Sequence, residues 1–161
     1  MVYLHEDREQ FLQALRLTYK QTRQMMQIIE KDYYVTVLLK LLAEKIPFIV
    51  FKGGTSLSKC HKVIRRFSED IDVAISDAWT LSGNQLKNLI RKTARNMTEG
   101  LDEIPIPGKT SKGSHYYKAY YHYPQIMESL AATSINPGQI LVEINSFANP
   151  YPSGQRVIQS F

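Results

Sequence analysis

The chain has 161 residues, of which 43% are hydrophobic and 22% charged, and its formal net charge is +5 at pH 7. These values are typical of a globular domain with its own core, and they exclude a disordered chain. The single cysteine excludes an internal disulfide and a cysteine-based zinc site. No apolar stretch is long enough to cross a bilayer, and the charged start does not resemble a signal peptide. We therefore expect a cytoplasmic protein with no membrane contact, whose mild basic excess permits contact with nucleic acid without establishing it.

Two amphipathic segments open the chain. Apolar residues at helical spacing predict helices over residues 6–26 and 26–45, and Pro47 ends the second one. The continuous apolar run at residues 48–51 predicts a short buried strand. The first third of the chain is therefore a helical pair that leads into a sheet.

A glycine pair at residues 53–54 follows this strand and predicts a turn. The sequence after it predicts a helix over residues 55–64, with Thr55 or Ser56 as its N-terminal cap. The stretch "DIDVAI" at residues 70–75 predicts the second strand.

The second half of the chain alternates between a helix, strands and loops. Ser82 can cap a basic helix, prolines and glycines mark the loops, and residues that favour strands mark the rest. This mixture of helices with a small sheet predicts an α+β domain. The predicted elements are a helix over 82–100, a loop over 104–114, strands over 115–123 and 139–147, a loop over 149–155 and the start of a helix at 156–161.

Two aspartates interrupt the apolar strand at residues 70–75. Asp70 and Asp72 share one face because side chains alternate along a strand, and the apolar residues between them suit a core. Carboxylates this close resist joint ionisation unless a cation lies between them, and Mg²⁺ prefers such oxygens. Glu143, a lone acid in another apolar strand, would complete a two-metal site if it came alongside. The alternative is that all three carboxylates face solvent.

The glycine pair suits a phosphate. A glycine turn between a buried strand and a helix lets a phosphate approach the backbone, where the helix N-terminus favours negative charge. Thr55 and Ser56 add hydroxyl donors, and Lys52 either reaches a phosphate or extends into solvent. A phosphate-binding turn beside paired carboxylates indicates phosphoryl or nucleotidyl transfer.

Other polar and aromatic residues have two interpretations each. Basic residues before Asp70 can contact a triphosphate or RNA, or form a solvated helix face. A second basic stripe, on the helix over 82–100, is better explained as a solvated helix face than as an RNA contact. Ser68 either orients the aspartates or caps a turn. The tyrosines of the strand over 115–123 can stack on bases, although packing is the commoner role. The first basic group is Lys59, Lys62, Arg65 and Arg66, and the second is Lys87, Arg91, Lys92 and Arg95.

The motifs together resemble a known family. A glycine pair after a strand, a helix, an acid-apolar-acid strand and a third acid resemble the DNA polymerase β-like nucleotidyltransferase superfamily. The segments "IEKDYYVTVLLK", "FKGGTSLSK" and "RRFSEDIDVAI" are similar to the AbiEii/AbiGii family, nucleotidyltransferase toxins of toxin–antitoxin and abortive-infection systems. The resemblance spans residues 29–75, and more loosely extends to Glu143. It implies a polymerase β-like nucleotidyltransferase fold, which is a small mixed β-sheet with flanking helices. One domain would cover residues 1–161, with N-terminal helices at about 6–45 and a catalytic core at about 48–147.

The resemblance also implies a reaction. A nucleoside monophosphate would move from an NTP to an RNA acceptor, for which the family suggests a tRNA 3′ end, and pyrophosphate would leave. Asp70 and Asp72 would bind Mg²⁺ or Mn²⁺, with Glu143 as a third metal ligand or as the base. A cognate antitoxin would be the protein partner. The candidates for holding the nucleotide phosphates are Lys52, Gly53, Gly54, Thr55, Ser56, Lys59, Arg66 and Ser68.

Family members continue into a helical C-terminal region, so we expect that region to be missing after Phe161 and the chain to be truncated or an isolated N-terminal domain. Two other functions stay open. One is a non-catalytic relative that binds NTP or RNA, and the other is a surface for an antitoxin. Asp32, which matches the family, has no predicted role beyond pairing with a lysine.

Overall fold

The computed structural model describes residues 2–46, 49–64, 70–127, 138–147 and 152–160. Helices and strands are mixed along these ranges, which confirms the predicted α+β class. None of the described helices has the length and apolarity needed to span a membrane. The helices are α1 (Arg8–Thr22), α2 (Met26–Lys45), α3 (Gly53–Lys59) and α4 (Gly83–Met97), and the strands are β1 (Ile49–Lys52), β2 (Asp70–Ile75), β3 (Asp102–Ile104), β4 (Ser111–Lys112), β5 (Tyr116–His122) and β6 (Gln139–Asn145).

Side-chain caps begin two of the helices. Asp7 Oδ1 accepts hydrogen bonds from the backbone N–H groups of Glu9 and Gln10 at the start of α1. Ser82 and Gln85 form a capping box at the start of α4, which confirms the predicted cap at Ser82. Both helices therefore begin where the sequence offers a side chain for their unpaired amides.

The described strands form one mixed sheet in the order β1-β2-β6-β5-β3, with β4 paired to β5. β2 and β6 run parallel, whereas the other neighbours run antiparallel. Buried and half-buried residues alternate along β6, so one face of the sheet is covered. The core cluster lies on that face, where α2 packs on α4 and α4 contacts β5 and β6. We call the opposite face, which carries Lys52, Asp72, Lys118 and Glu143, the open face.

Several predicted boundaries are wrong. α3 begins at Gly53 with Lys52 as its N-cap residue, so neither Thr55 nor Ser56 caps it. The predicted extension of α3 to residue 64 fails because the helix ends at Lys59, and Lys62 adopts a left-handed backbone with φ of 54°. A left-handed residue at position 62 is incompatible with a helix that continues to residue 64.

The predicted loop over 104–114 and the predicted C-terminal helix are also corrected. β4 lies inside the predicted loop, and β3 overlaps its first residue. Pairing with β5 makes these segments strands, although their residues have little preference for strand structure. Residues 156–160 form no helix, although Ile158 packs against the core. The predicted strands over 115–123 and 139–147 are confirmed as β5 and β6, with slightly shorter bounds.

A buried carboxylate on α2 holds the segment that follows β5. Glu30 Oε1 accepts a hydrogen bond from the Ile126 N–H at 2.6 Å, and Oε2 accepts one from the Met127 N–H at 3.2 Å. Burial raises the pKa of Glu30, and the two backbone hydrogen bonds only partly oppose that rise. α2 therefore carries a polar anchor in addition to its apolar stripe.

We expect the wild type to gain stability relative to Glu30→Gln as the pH falls. Folding holds the pKa of Glu30 above its ordinary value of 4.5, so the stability contributed by protonation is fully present below pH 4.5 and is lost as the pH rises through the folded pKa. Urea unfolding at a series of pH values measures this difference. Glu44→Gln, at an exposed position on the same helix, is the control and should follow the wild type. If the free energy of unfolding of the wild type, relative to that of Glu30→Gln, increased with rising pH, the prediction would be wrong.

Candidate active site

A row of four charged side chains crosses the open face on four neighbouring strands. Lys52 on β1 lies opposite Asp72 on β2, Asp72 opposite Glu143 on β6, and Glu143 opposite Lys118 on β5. Directly paired positions point to the same side of a sheet, so from β1 to β5 the side chains are a cation, two carboxylates and a second cation. We call these four residues the charged row.

Lys118 and Tyr116 hold the outer carboxylate of this row. The Lys118 ammonium lies 2.8 Å from Glu143 Oε1, and the Tyr116 hydroxyl donates a hydrogen bond of 2.7 Å to the same oxygen. Burial alone would raise the pKa of Glu143, but hydrogen bonds from Lys118, Tyr116 and Asp72 outweigh it and lower the pKa. Burial and the bond to Glu143 raise the pKa of Tyr116 to about 12. Glu143 is therefore ionised over the physiological pH range.

Asp72 has the opposite electrostatic character. Burial is the largest cause that raises the pKa of Asp72, and the neighbouring Glu143 and Asp70 raise it further. Lys52, 3.9 Å away, lowers this pKa in part. Joint ionisation of these two acids on adjacent strands is therefore unfavourable. The two lysines balance the formal charge of the pair, but Lys52 is 3.9 Å from Asp72, and Asp70 adds a further carboxylate to the same face. A cation between Asp72 and Glu143 would relieve this repulsion.

The donor chemistry of this pair fits a hard divalent cation, because both ligands are carboxylates and both are partly accessible. Asp70 lies on the same face, two residues before Asp72, at the exposed start of β2 and opposite Leu141. Within the described ranges, no three acidic, histidine or cysteine side chains converge on a metal-sized site. Asp72 and Glu143 are therefore the core of the candidate site, and Asp70 would have to approach them to join it.

Gly53 brings the predicted phosphate-binding turn against the carboxylates. Its backbone has φ of +78°, and a Cβ added there would overlap the carboxylate of Asp72 and lie 3.0 Å from the Asp72 Cβ. Only glycine suits a position that combines this conformation with so close a neighbour. Gly54 follows it in the first turn of α3.

The other predicted phosphate ligands lie in different surroundings. Thr55 and Ser56 are buried, and the Thr55 hydroxyl donates to the backbone carbonyl of Asp70, which ties α3 to the start of β2. The Lys59 ammonium pairs with Asp32 at 2.7 Å. Arg66 and Ser68, together with Arg65, lie outside the described residues. The structure thus brings Lys52, Asp72, Glu143 and the glycine turn together, and directs Lys59 to another partner.

Sequence reasoning missed Lys118, and it considered Tyr116 only for base stacking or packing, not as a hydrogen-bond donor to Glu143. The available signal was the alternation of polar and buried residues along β5, where Tyr117 and Tyr121 face the core. The pairing of β5 with β6 was needed to place Lys118 beside Glu143, and no local pattern gives strand order. The basic residues of α4 lie on the helix-covered side of the sheet, away from the charged row.

Comparisons with known proteins bear on the family and the fold of the chain. Residues 37–161 match the family described as "Nucleotidyl transferase AbiEii toxin, Type IV TA system". A search of curated proteins found no match. Among solved structures, the chain is similar to MenT4, a nucleotidyltransferase toxin from Mycobacterium tuberculosis H37Rv, with a TM-score of 0.52 and 19% identity. The alignment covers 84% of this chain and 44% of that chain, so this chain spans less than half of its structural relative.

Gly53→Ala is expected to lower the free energy of unfolding by about 1–3 kcal/mol more than Gly100→Ala does. Both glycines have positive φ, so both variants incur backbone strain, but only the methyl group at position 53 meets a carboxylate, because nothing lies within 4 Å at Gly100. Urea unfolding of the three proteins measures the two losses. Equal losses would show that the approach of Gly53 to Asp72 is not a constraint on the fold.

Proposed function

Because the chain belongs to the AbiEii family of nucleotidyl transferase toxins of type IV toxin–antitoxin systems, we propose that it transfers a nucleoside monophosphate from an NTP to an RNA acceptor. The observation that carries this proposal is the charged row directly against the Gly53 turn. Paired carboxylates suit a metal ion, and the turn beside them suits the phosphates that the metal would share. The 3′ end of a tRNA is the acceptor that we propose.

In the proposed reaction, a hydroxyl oxygen of the acceptor attacks the α-phosphorus of the NTP. The bond from the α-phosphorus to the bridging oxygen breaks, pyrophosphate leaves, and the hydroxyl proton passes to solvent or to a carboxylate. Asp72 and Glu143, joined by Asp70, would hold Mg²⁺ or Mn²⁺, which supplies positive charge to the phosphates and aligns the reacting oxygens. The backbone at Gly53 and Gly54 and the hydroxyl of Ser56 would lie along the triphosphate.

Glu143 suits a metal ligand better than a general base. Both hydrogen-bond donors from β5 act on Oε1, and the lowered pKa keeps the group ionised. A carboxylate whose pKa is lowered from its ordinary value removes a proton poorly near neutral pH. We therefore assign Glu143 to cation binding, with Tyr116 and Lys118 fixing its orientation. Lys52, 3.9 Å from Asp72, would contribute positive charge for the phosphates.

The family context implies a cognate antitoxin as the protein partner, and we propose the cytoplasm as the place of action because RNA and NTP are found there. A non-catalytic relative that binds NTP or RNA is the second candidate. It is favoured by the separation of Asp70 from the other two carboxylates. Turnover distinguishes the two candidates.

A transfer assay with total tRNA, Mg²⁺ and each α-labelled NTP in turn tests the proposal. We expect label on RNA from at least one NTP, and a loss of at least about a hundredfold in Asp72→Asn because that variant removes one of the two paired carboxylates. Asp102→Asn, the same substitution at an exposed position on β3, is the matched control and should retain activity. Absence of label in every lane, with Mn²⁺ as well as Mg²⁺, would contradict transfer to RNA and favour the binding module.

A further inference from the structure

An ion pair lies within the fold between α2 and α3. The Lys59 ammonium is 2.7 Å from Asp32 Oδ1, and the side chains are only 9% and 4% exposed, respectively. A surface pair on the same helix, Lys40 and Glu44, is 4.0 Å apart with side chains 43% and 48% exposed. Burial distinguishes the first pair, because a charge removed from water is strongly destabilising unless an opposite charge accompanies it.

The pair fixes the far end of α3. The helix has seven residues, begins at Gly53 against Asp72, and is tied to the start of β2 by the Thr55 hydroxyl. Lys59 is its last residue, so the ion pair anchors the other end to the N-terminal half of α2. A helix this short has little intrinsic stability, and its position therefore depends on such contacts.

Lys59 also connects α3 to the end of the described chain. Its ammonium donates to the backbone carbonyl of Gln159 at 3.3 Å, and the neighbouring Ile158 packs against the core. One ammonium thus joins α2, α3 and residues 152–160. Lys59 could therefore reach a nucleotide only by breaking its buried ion pair with Asp32.

We propose that Asp32 is a positioning residue for nucleotide binding, which acts through Lys59 to hold α3 and, with it, the turn at Gly53 against Asp72. In this role Lys59 is a structural anchor and not a phosphate ligand. The proposal rests on the proposed function for its link to the nucleotide, whereas the anchoring of α3 is independent of that function.

Hydrogen exchange tests the anchoring without any nucleotide. In Asp32→Asn and in Lys59→Met, we expect the amides of residues 57–60 to exchange at least about tenfold faster than in the wild type, because each variant breaks the buried ion pair that holds the end of α3 against α2. Lys40→Met and Glu44→Gln break the exposed pair on α2 and should leave these amides unchanged. Unchanged protection of α3 in both Asp32→Asn and Lys59→Met would overturn the proposal.

Nucleotide binding tests the consequence for the site. The probes are the Mg²⁺ complexes of the four α,β-methylene NTP analogues, with the Kd measured by calorimetry and the melting temperature recorded for each variant. We expect Asp32→Asn and Lys59→Met each to raise the Kd about tenfold, and the double variant to raise it no more than either single variant, because the two residues act as one unit. In turnover, the KM for NTP should rise more than the kcat falls.

Three results would overturn this part of the proposal. If Lys59→Met weakens binding while Asp32→Asn does not, Lys59 contacts the phosphates directly. If the two effects multiply in the double variant, the residues act separately. If the melting temperature falls while the Kd stays constant, the pair is structural only. Failure of the wild type to bind any analogue would instead refute the proposed function, and the exchange experiment would still decide whether the pair anchors α3.

Discussion

The open face is organised by the repulsion between two carboxylates on adjacent parallel strands. Asp72 and Glu143 lie directly opposite each other, and their two neighbours across the sheet are lysines. The two carboxyl groups differ in acidity, since the pKa of Asp72 is raised and that of Glu143 is lowered. Two adjacent acids that resist joint ionisation, at a partly accessible position with Asp70 on the same face, are the physical reason to expect a metal ion there.

Strand register determines whether this pair exists at all. A shift of one residue in β2 or β6 would turn a carboxylate into the core and an isoleucine or valine outward. The buried residues that alternate with Asp72 and Glu143 prevent this, because α2 and α4 cover their side of the sheet. The close approach of Gly53 to Asp72 adds a second constraint from α3. Core packing and site geometry are thus two consequences of one alternating pattern.

This alternation explains how much the sequence could predict. "DIDVAI" and "LVEIN" correctly indicated strands with acids on one face, and Ser82 correctly indicated a helix start. The contacts of Tyr116 and Lys118 with Glu143 were missed because they depend on β5 lying next to β6, a long-range pairing. Lys59 was a candidate for contact with a triphosphate or RNA, or for a solvated helix face, and its buried pairing with Asp32 depends on the packing of α3 against α2, which no local pattern shows.

The most direct test of the central claim is the binding of Mn²⁺, measured by electron paramagnetic resonance with the wild type and with Asp72→Asn and Glu143→Gln. We expect the wild type to bind Mn²⁺ and both variants to bind it at least about tenfold more weakly, because each removes one carboxylate ligand. Equal Mn²⁺ affinity in the wild type, Asp72→Asn and Glu143→Gln would contradict the assignment of the metal site to this pair.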